Sequence, residues 1–434
     1  DDEDYLAMLR NYYEDWTEEG IDDCPDEIKA LIPGVQVILA LTEKYHAFVM
    51  NPPYMGSKNM NGVLSKYVKD EYKDSKADLF SVFMQMGMEH LVDGGKMAQI
   101  NMQSWMFLSS FEKLRTQFLK DYNIDNMLHL GPRTFDELSG EVVQNTAFVL
   151  SKHEPTSQGG VYYRLVDGKN CADKEQLFLS HINGNEDGNR ILYSNVEQKD
   201  FEKIPGAPIG YWLSGKTLEL IENSNTIANA AAPKQGIATG DNNRFLRYIW
   251  EIDKNKRGRI KWVPCTKGGS FRKWFGNIDY CINWECDGHE IKNFYSTNGK
   301  LASRPQNQSF YFKQIGCTWS TISSGKPAFR YFDKNWLFET KGSVCFPNNT
   351  SDNNVLMAYL NSPLVNYFLK VYSPTMDYHE GPVGKIPYHK VIEDKIRQTI
   401  DNIVQQNIST SKQDWDAHET SWDFQRNELL SIDT

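Results

Sequence analysis

Between residues 36 and 150 the pattern of apolar positions switches repeatedly from a strand-type run to a helix-type spacing. The run Tyr45-His46-Ala47-Phe48-Val49-Met50 reads as one buried strand. After a polar loop, Ser75 to Leu91 carries Leu79, Val82, Phe83, Met86 and Leu91 at helical spacing, with Ser75 or Asp78 able to cap the helix and Gly94-Gly95 to close it. Strand patterns follow at Lys96 to Met102, Ile124 to Leu130 and Val142 to Leu150. A helix around Phe111, Leu114 and Phe118 separates the first two, and a loop containing Gly131-Pro132-Arg133-Thr134-Phe135 separates the last two. With no helix between them, the last two strands are expected to pair antiparallel at one end of an otherwise parallel sheet. Upstream, Tyr5 to Tyr13 and Ile28 to Leu41 read as helices.

Past residue 150 the periodicity shortens. Residues 159 to 215 are mixed and aromatic, while 216 to 390 place Gly, Asn and Ser turn clusters between short β-type runs such as Phe329 to Phe332 and Val344 to Phe346, plus a helix at Asn354 to Val371. Residues 391 to 434 read as a helical tail. The expected organisation is an α/β domain over 1–150, a connecting segment over 151–215, a mixed α+β domain over 216–390, and the tail.

The tetrapeptide Asn51-Pro52-Pro53-Tyr54 stands at the carboxyl end of the first strand, the edge where open α/β sheets bind ligands. Two prolines fix φ near −65° and remove two N–H donors, so the carbonyls of Asn51 and Pro52 become rigid acceptors without a local competitor. Such a site suits an amino group held between two acceptors and a flat ring against Tyr54. Adenine fits that description, and so does an amide nitrogen.

Composition narrows the class. No apolar run reaches the roughly 18 to 20 residues of a membrane span, and the acidic start Asp1-Asp2-Glu3-Asp4 is no signal peptide. A cytoplasmic protein without a membrane partner is expected. The seven cysteines include no CxxC pair, and Cys281 and Cys286 with His289 match no standard zinc spacing, so reduced thiols and no metal are expected. The net charge of −10 speaks against a polyanionic partner until its distribution is considered. Residues 244 to 273 hold ten cations, among them Arg244, Arg247, Arg257, Arg259, Arg272 and Lys273, against only Glu251 and Asp253. Interleaved Phe245, Tyr248, Trp250, Trp262, Phe271 and Trp274 favour a surface for phosphates and bases over a merely solvated basic face.

Together, Asn51-Pro52-Pro53-Tyr54, the helix Asp78-Leu79-Phe80-Ser81-Val82-Phe83, the turn Asp93-Gly94-Gly95, the strand to Trp105 and the loop Gly131 to Phe135 resemble, in order and spacing, the amino-methyltransferases that modify adenine N6 in DNA. The blocks Gly236 to Phe245 and Lys267 to Trp274 look like the start of the target-recognition domain that follows the catalytic domain in this class. The resemblance is nearest to the PglX-type methyltransferases of BREX phage-exclusion systems, with fused restriction-modification enzymes as cousins, and covers the chain from about residue 40.

It implies a partial doubly wound, Rossmann-like methyltransferase domain, S-adenosylmethionine as cofactor, and double-stranded DNA and phage-defence proteins as partners. It also assigns roles. Asn51 and Pro52 would hold the target amino group, Tyr54 and Phe135 would stack on the flipped base, and Pro53, Leu79 and Phe83 would border the cofactor's adenine. The six cations named above would face DNA. About 44 residues precede the first strand and contain no G-x-G element, so the chain reads as the carboxyl-terminal part of a longer protein or as a split subunit, expected by itself to bind the cofactor weakly or not at all and to be inactive. A protein or ribosomal-RNA methyltransferase sharing the tetrapeptide, and a noncatalytic DNA-recognition or assembly module, are the alternatives.

Overall fold

A computed structural model describes residues 2–21, 24–135, 143–184, 190–253, 261–323, 325–374, 377–389, 393–427 and 430. They form two compact units, 1–202 and 203–434.

The first unit opens with two helices, α1 (Asp2–Glu19) and α2 (Asp26–Thr42), followed by β1 (Tyr45–Met50), α3 (Gly62–Glu71), α4 (Leu79–Glu89), β2 (Leu91–Met102), α5 (Glu112–Asp121), β3 (Asn123–Pro132), β4 (Gln144–Ser151), β5 (Gly160–Arg164), α6 (Cys171–Ile182) and β6 (Leu192–Val196). The six strands form one sheet in the order β1-β2-β4-β3-β5-β6. β1 and β2 are parallel, as are β3 and β5, while β4 runs antiparallel to both β2 and β3. The antiparallel pairing of β3 with β4 is as expected, but its place is not. β4 wedges between β2 and β3, and β5 and β6 extend the sheet beyond β3, so most of the expected connecting segment belongs to the first unit.

One sheet face is the core: Met97, Met127, Phe148 and Leu150 are buried there with Phe80, Met84 and Met88 of α4 and Leu114 and Phe118 of α5. α4 packs closely on the sheet: a Cβ at Gly87 would come within 2.8 Å of the side-chain ends of Met50 and Met97, which would have to shift to admit it.

Three local expectations change. α4 begins at Leu79, capped by Asp78 rather than Ser75, because Asp78 has the extended backbone of a cap and accepts from the Phe80 N–H. Gly94 and Gly95 lie inside β2, and His90 ends the helix. β1 is the first strand of the sheet rather than a fully buried one, and its Val49 is 78% exposed. α3 was not anticipated, although Asn61 caps it through the Leu64 N–H.

The second unit is built on two four-stranded sheets. One has the order β13-β9-β10-β8, from Leu337–Phe338, Trp262–Thr266, Tyr280–Asn283 and Leu246–Tyr248. The other has the order β12-β11-β14-β7, from Phe329–Phe332, Gly316–Trp319, Val344–Pro347 and Ala231–Lys234. The helix expected at Asn354 to Val371 is two helices, Asn353–Leu360 and Pro363–Tyr372, because Ser362 caps a new start with Pro363 in its first turn. The tail forms the helix Asp394–Asp416, which buries Val404, Ile408 and Trp415 in this unit's main core.

Candidate active site and nucleic-acid interface

β1 delivers Asn51-Pro52-Pro53-Tyr54 to the carboxyl end of the parallel strands, and the segment behind it is laced to the start of α4. The Met55 N–H donates to the Asp78 carboxylate (2.9 Å), the Leu79 N–H to the Met55 carbonyl (3.0 Å), and the Ser57 N–H to the Ala77 carbonyl (3.0 Å). Burial pushes the Asp78 carboxyl above its usual range, opposed by the backbone N–H groups of Met55, Phe80 and Leu79. Asp78 thus acts as cap and loop anchor at once.

Because its folded pKa is raised, the ionised form of Asp78 is held at a cost that sets in as pH rises through the ordinary carboxylate value. Asp78→Asn keeps the acceptor without the charge and is expected to be at least as stable as the native chain at pH 7. Asp78→Ala loses the cap, at about 1 kcal/mol. Thermal melts of both variants check this, and equal losses would contradict it.

Tyr54 is fixed from two sides. Its ring meets Phe80 edge-on (6.2 Å between centroids), and its hydroxyl accepts from Asn145 Nδ2 (2.9 Å). Asn145 lies on β4, paired with Met102 of β2 on one side and Gly131 of β3 on the other, and its Nδ2 also donates to the Asn101 carbonyl (3.3 Å). Burial raises the Tyr54 phenol pKa, so it stays neutral at physiological pH. The sequence reading did not pick out Asn145. Its only sequence signal was a polar residue opening an otherwise apolar strand.

Around these residues Asn51 and Pro53 are exposed and Pro52 is buried. Leu79 and Phe83 are half-buried on one face of α4, while Phe80, Ser81, Val82 and Met84 are buried between and beside them. Phe135, half-buried, is the third residue after β3 at the same sheet end, four residues past the Gly131 that pairs with Asn145.

Behind the site runs a buried polar chain. His129 Nε2 bonds Gln103 Oε1 (2.7 Å) in the turn Gln103–Met106 that follows β2, and the His129 ring lies 5.9 Å from Phe107. Burial, with Arg164 and Lys174 nearby, depresses His129 to about 3.

In the second unit the basic window divides. Arg244 is exposed, pairs with Glu290 (2.8 Å) and lies over Phe294 (5.0 Å). Arg247 is partly exposed, donates to the carbonyls of Asn243 and Leu246, and approaches the Trp262 ring (5.7 Å). Arg272 is tied to Asp414 (2.6 Å) and packs over Trp415 (5.2 Å), and Lys273 Nζ donates to the Asn361 carbonyl (2.9 Å), so these two brace the unit internally. Arg257 and Arg259 lie outside the described residues. Among the described residues, no group of three or more His, Cys, Asp or Glu side chains could hold a metal ion, and no helix is long and apolar enough to cross a membrane.

Residues 6–135 match the Eco57I restriction-modification methylase family. Over 410 residues, 92% of this chain, the sequence is 39% identical to the adenine-specific methyltransferase PglX of Lacticaseibacillus casei (strain Zhang). Over 409 residues, again 92% of the chain, it is 38% identical to the adenine-specific methyltransferase BrxX of Escherichia coli O9:H4 (strain HS). The chain spans only about a third of the length of these curated relatives, 33% and 32% respectively.

Among solved structures, the type IIL restriction-modification enzyme MmeI in complex with DNA matches with a TM-score of 0.56 at 11% identity, over 89% of this chain and 53% of that one. The DrdV–DNA complex matches with a TM-score of 0.51 at 12% identity, over 88% and 46%. At such identities the likeness is one of fold, and it is the α/β methyltransferase fold expected from the sequence. Over 92% of its length the chain is therefore similar to the PglX- and BrxX-type adenine-specific methyltransferases, and its residues 6–135 carry the Eco57I methylase match.

Proposed function

We propose that this chain carries the target-base pocket and the DNA-recognition unit of an S-adenosylmethionine-dependent DNA adenine-N6 methyltransferase acting in phage defence or restriction-modification. The observation that carries the reading is the anchoring of Asn51-Pro52-Pro53-Tyr54 at the carboxyl sheet edge, with Tyr54 held by Asn145 and Phe80 and the following backbone held by Asp78.

The chemistry follows from adenine. Its N6 lone pair is delocalised into the ring, so the amino group is a poor nucleophile. The Asn51 side chain and the Pro52 carbonyl accept its two hydrogens, favour a tetrahedral nitrogen and orient its lone pair. The positive charge develops on nitrogen and the proton departs afterwards, so no strong base is required. A duplex conceals N6, hence the base is flipped out at a cost of a few kcal/mol. Stacking on Tyr54, with Phe135 against the other face, returns about 1 to 3 kcal/mol. When bound, S-adenosylmethionine supplies the electrophilic methyl group. Leu79 and Phe83, half-buried side by side one helical turn apart, fit an apolar wall for its adenine, with Pro53 at the rim.

We assign duplex DNA contacts to Arg244, Arg247, Arg257 and Arg259, and a bracing role to Arg272 and Lys273. Phosphate contacts release counterions, so log affinity falls with log salt by about 0.9 per contact. Replacing the four arginines by Gln is expected to flatten that slope and weaken binding to all sequences alike. An unchanged slope and affinity in a salt titration would place the DNA surface elsewhere.

The direct test of the function is methyl transfer from labelled S-adenosylmethionine into unmethylated DNA by the intact protein, with Tyr54→Ala as the comparison. The expected outcome is labelled adenine and a marked loss in the variant. Label in protein or RNA instead would favour the other users of the tetrapeptide.

A further inference from the structure

One exposed feature of the second unit is not used by the site above. Tyr248, the last residue of β8, and Tyr280, the first of β10, are direct cross-strand partners. Their rings stack at 4.7 Å and 28°, with the Tyr280 hydroxyl donating to the Tyr248 oxygen (3.2 Å). Trp250, in the turn Ile249–Glu251 that follows β8, stacks on Tyr248 at 4.5 Å and 8°. Two near-parallel rings this close to one centroid do not fit side by side on one face, so Tyr248 is the middle ring of three. The Tyr280 end is closed by Lys267, whose Nζ lies 4.7 Å from the ring centroid. At the other end Trp250 is 50% exposed and Tyr248 40%, and among the described residues no further ring or cation lies against Trp250.

The stack is held in place from below. Glu251 accepts from the Tyr248 N–H (2.8 Å), the Ile249 N–H donates to the Asp279 carbonyl (2.9 Å), and Ile249 is fully buried with Ile252 and Cys281. The ring planes are therefore set before anything binds, and a fourth planar ring could extend the stack with little further loss of side-chain freedom. The partly exposed Arg247 immediately precedes Tyr248 in β8, and the cation Lys267 closes the far end of the stack. A flat, uncharged π-ring attached to a polyanion matches both properties, whereas an aromatic side chain of a protein partner supplies only the first.

We propose that the open face of Trp250 is a stacking platform for an unpaired nucleobase of DNA, a site separate from the target-base pocket; the proposal rests on the DNA-binding reading of this unit. Base stacking is nearly indifferent to salt, while phosphate contacts are not, and this separates the two contributions. The 434-residue chain, its Trp250→Ala and Trp250→Phe variants and the Arg247→Gln variant are titrated with a single-stranded oligodeoxythymidylate and with a duplex over a salt series. Trp250→Ala is expected to weaken oligodeoxythymidylate binding roughly five- to a hundredfold with the salt slope unchanged, and Trp250→Phe to retain most of the affinity. Arg247→Gln lowers the slope instead. Native affinity in Trp250→Ala, or a slope change equal to that of Arg247→Gln, overturns the platform. If the native chain binds duplex but no single strand, the platform fails while the DNA reading stands, and if it binds neither, both fall.

Discussion

Replacing Asn51 by alanine in the intact protein is expected to slow N6-methyladenine formation about a hundredfold while leaving the fold unchanged. Asn51 is exposed just past the end of β1, so its side chain contributes little to packing, and on the proposed mechanism its loss removes one acceptor directed at the atom on which charge develops. A single directed hydrogen bond of that kind is worth about 3 kcal/mol in the transition state. DNA affinity, which the proposal assigns to cations and stacking rings of the second unit, should stay within a few-fold of native. Unchanged turnover would remove Asn51 from the chemistry, and a parallel fall in thermal stability would make it a structural residue.

Lowering the pH should loosen the sheet behind the site through His129. In the folded state its pKa is about 3, chiefly because burial disfavours the imidazolium, whereas an unfolded histidine titrates near 6.5. The unfolded chain therefore takes up a proton that the fold refuses. The stabilisation is complete above pH 6.5 and is lost as pH falls from there toward 3, at up to about 1.4 kcal/mol per unit. Between pH 6.5 and 5 the loss is about 2 kcal/mol. It falls on β3 and on the turn holding Gln103. Hydrogen exchange of the amides of 123–132 and 144–151 at both pH values, in the native chain and in His129→Gln, isolates the effect from the carboxylates that titrate lower. The native chain should lose about 2 kcal/mol more protection than the variant, and equal losses would contradict a neutral buried His129.

The first strand and the helices of the first unit were legible because their periodicity and caps are local. Tyr45–Met50 ended where the strand pattern ended, and Asp78 was among the two caps considered. What escaped is set by pairing partners far away in sequence. Nothing in Gln144–Ser151 says that it inserts between β2 and β3, and that insertion is what brings Asn145 onto Tyr54, 91 residues away. For the same reason the ten cations read as one surface, yet Arg272 is neutralised by Asp414, a residue 142 positions further on. The break at Ser362-Pro363 was readable, since a capping serine before proline is a helix start; the apolar spacing on either side concealed it.

The reading of Asn51-Pro52-Pro53-Tyr54 as an adenine amino pocket is tested most directly by identifying the product. Unmethylated DNA is incubated with the intact protein and isotopically labelled S-adenosylmethionine, digested to nucleosides and resolved by mass spectrometry. Labelled N6-methyl-2′-deoxyadenosine, formed about a hundredfold more slowly by Asn51→Ala, is the predicted result. Label on cytosine, on RNA or on a glutamine side chain, or labelled adenine formed as fast by Asn51→Ala as by the native protein, would contradict it.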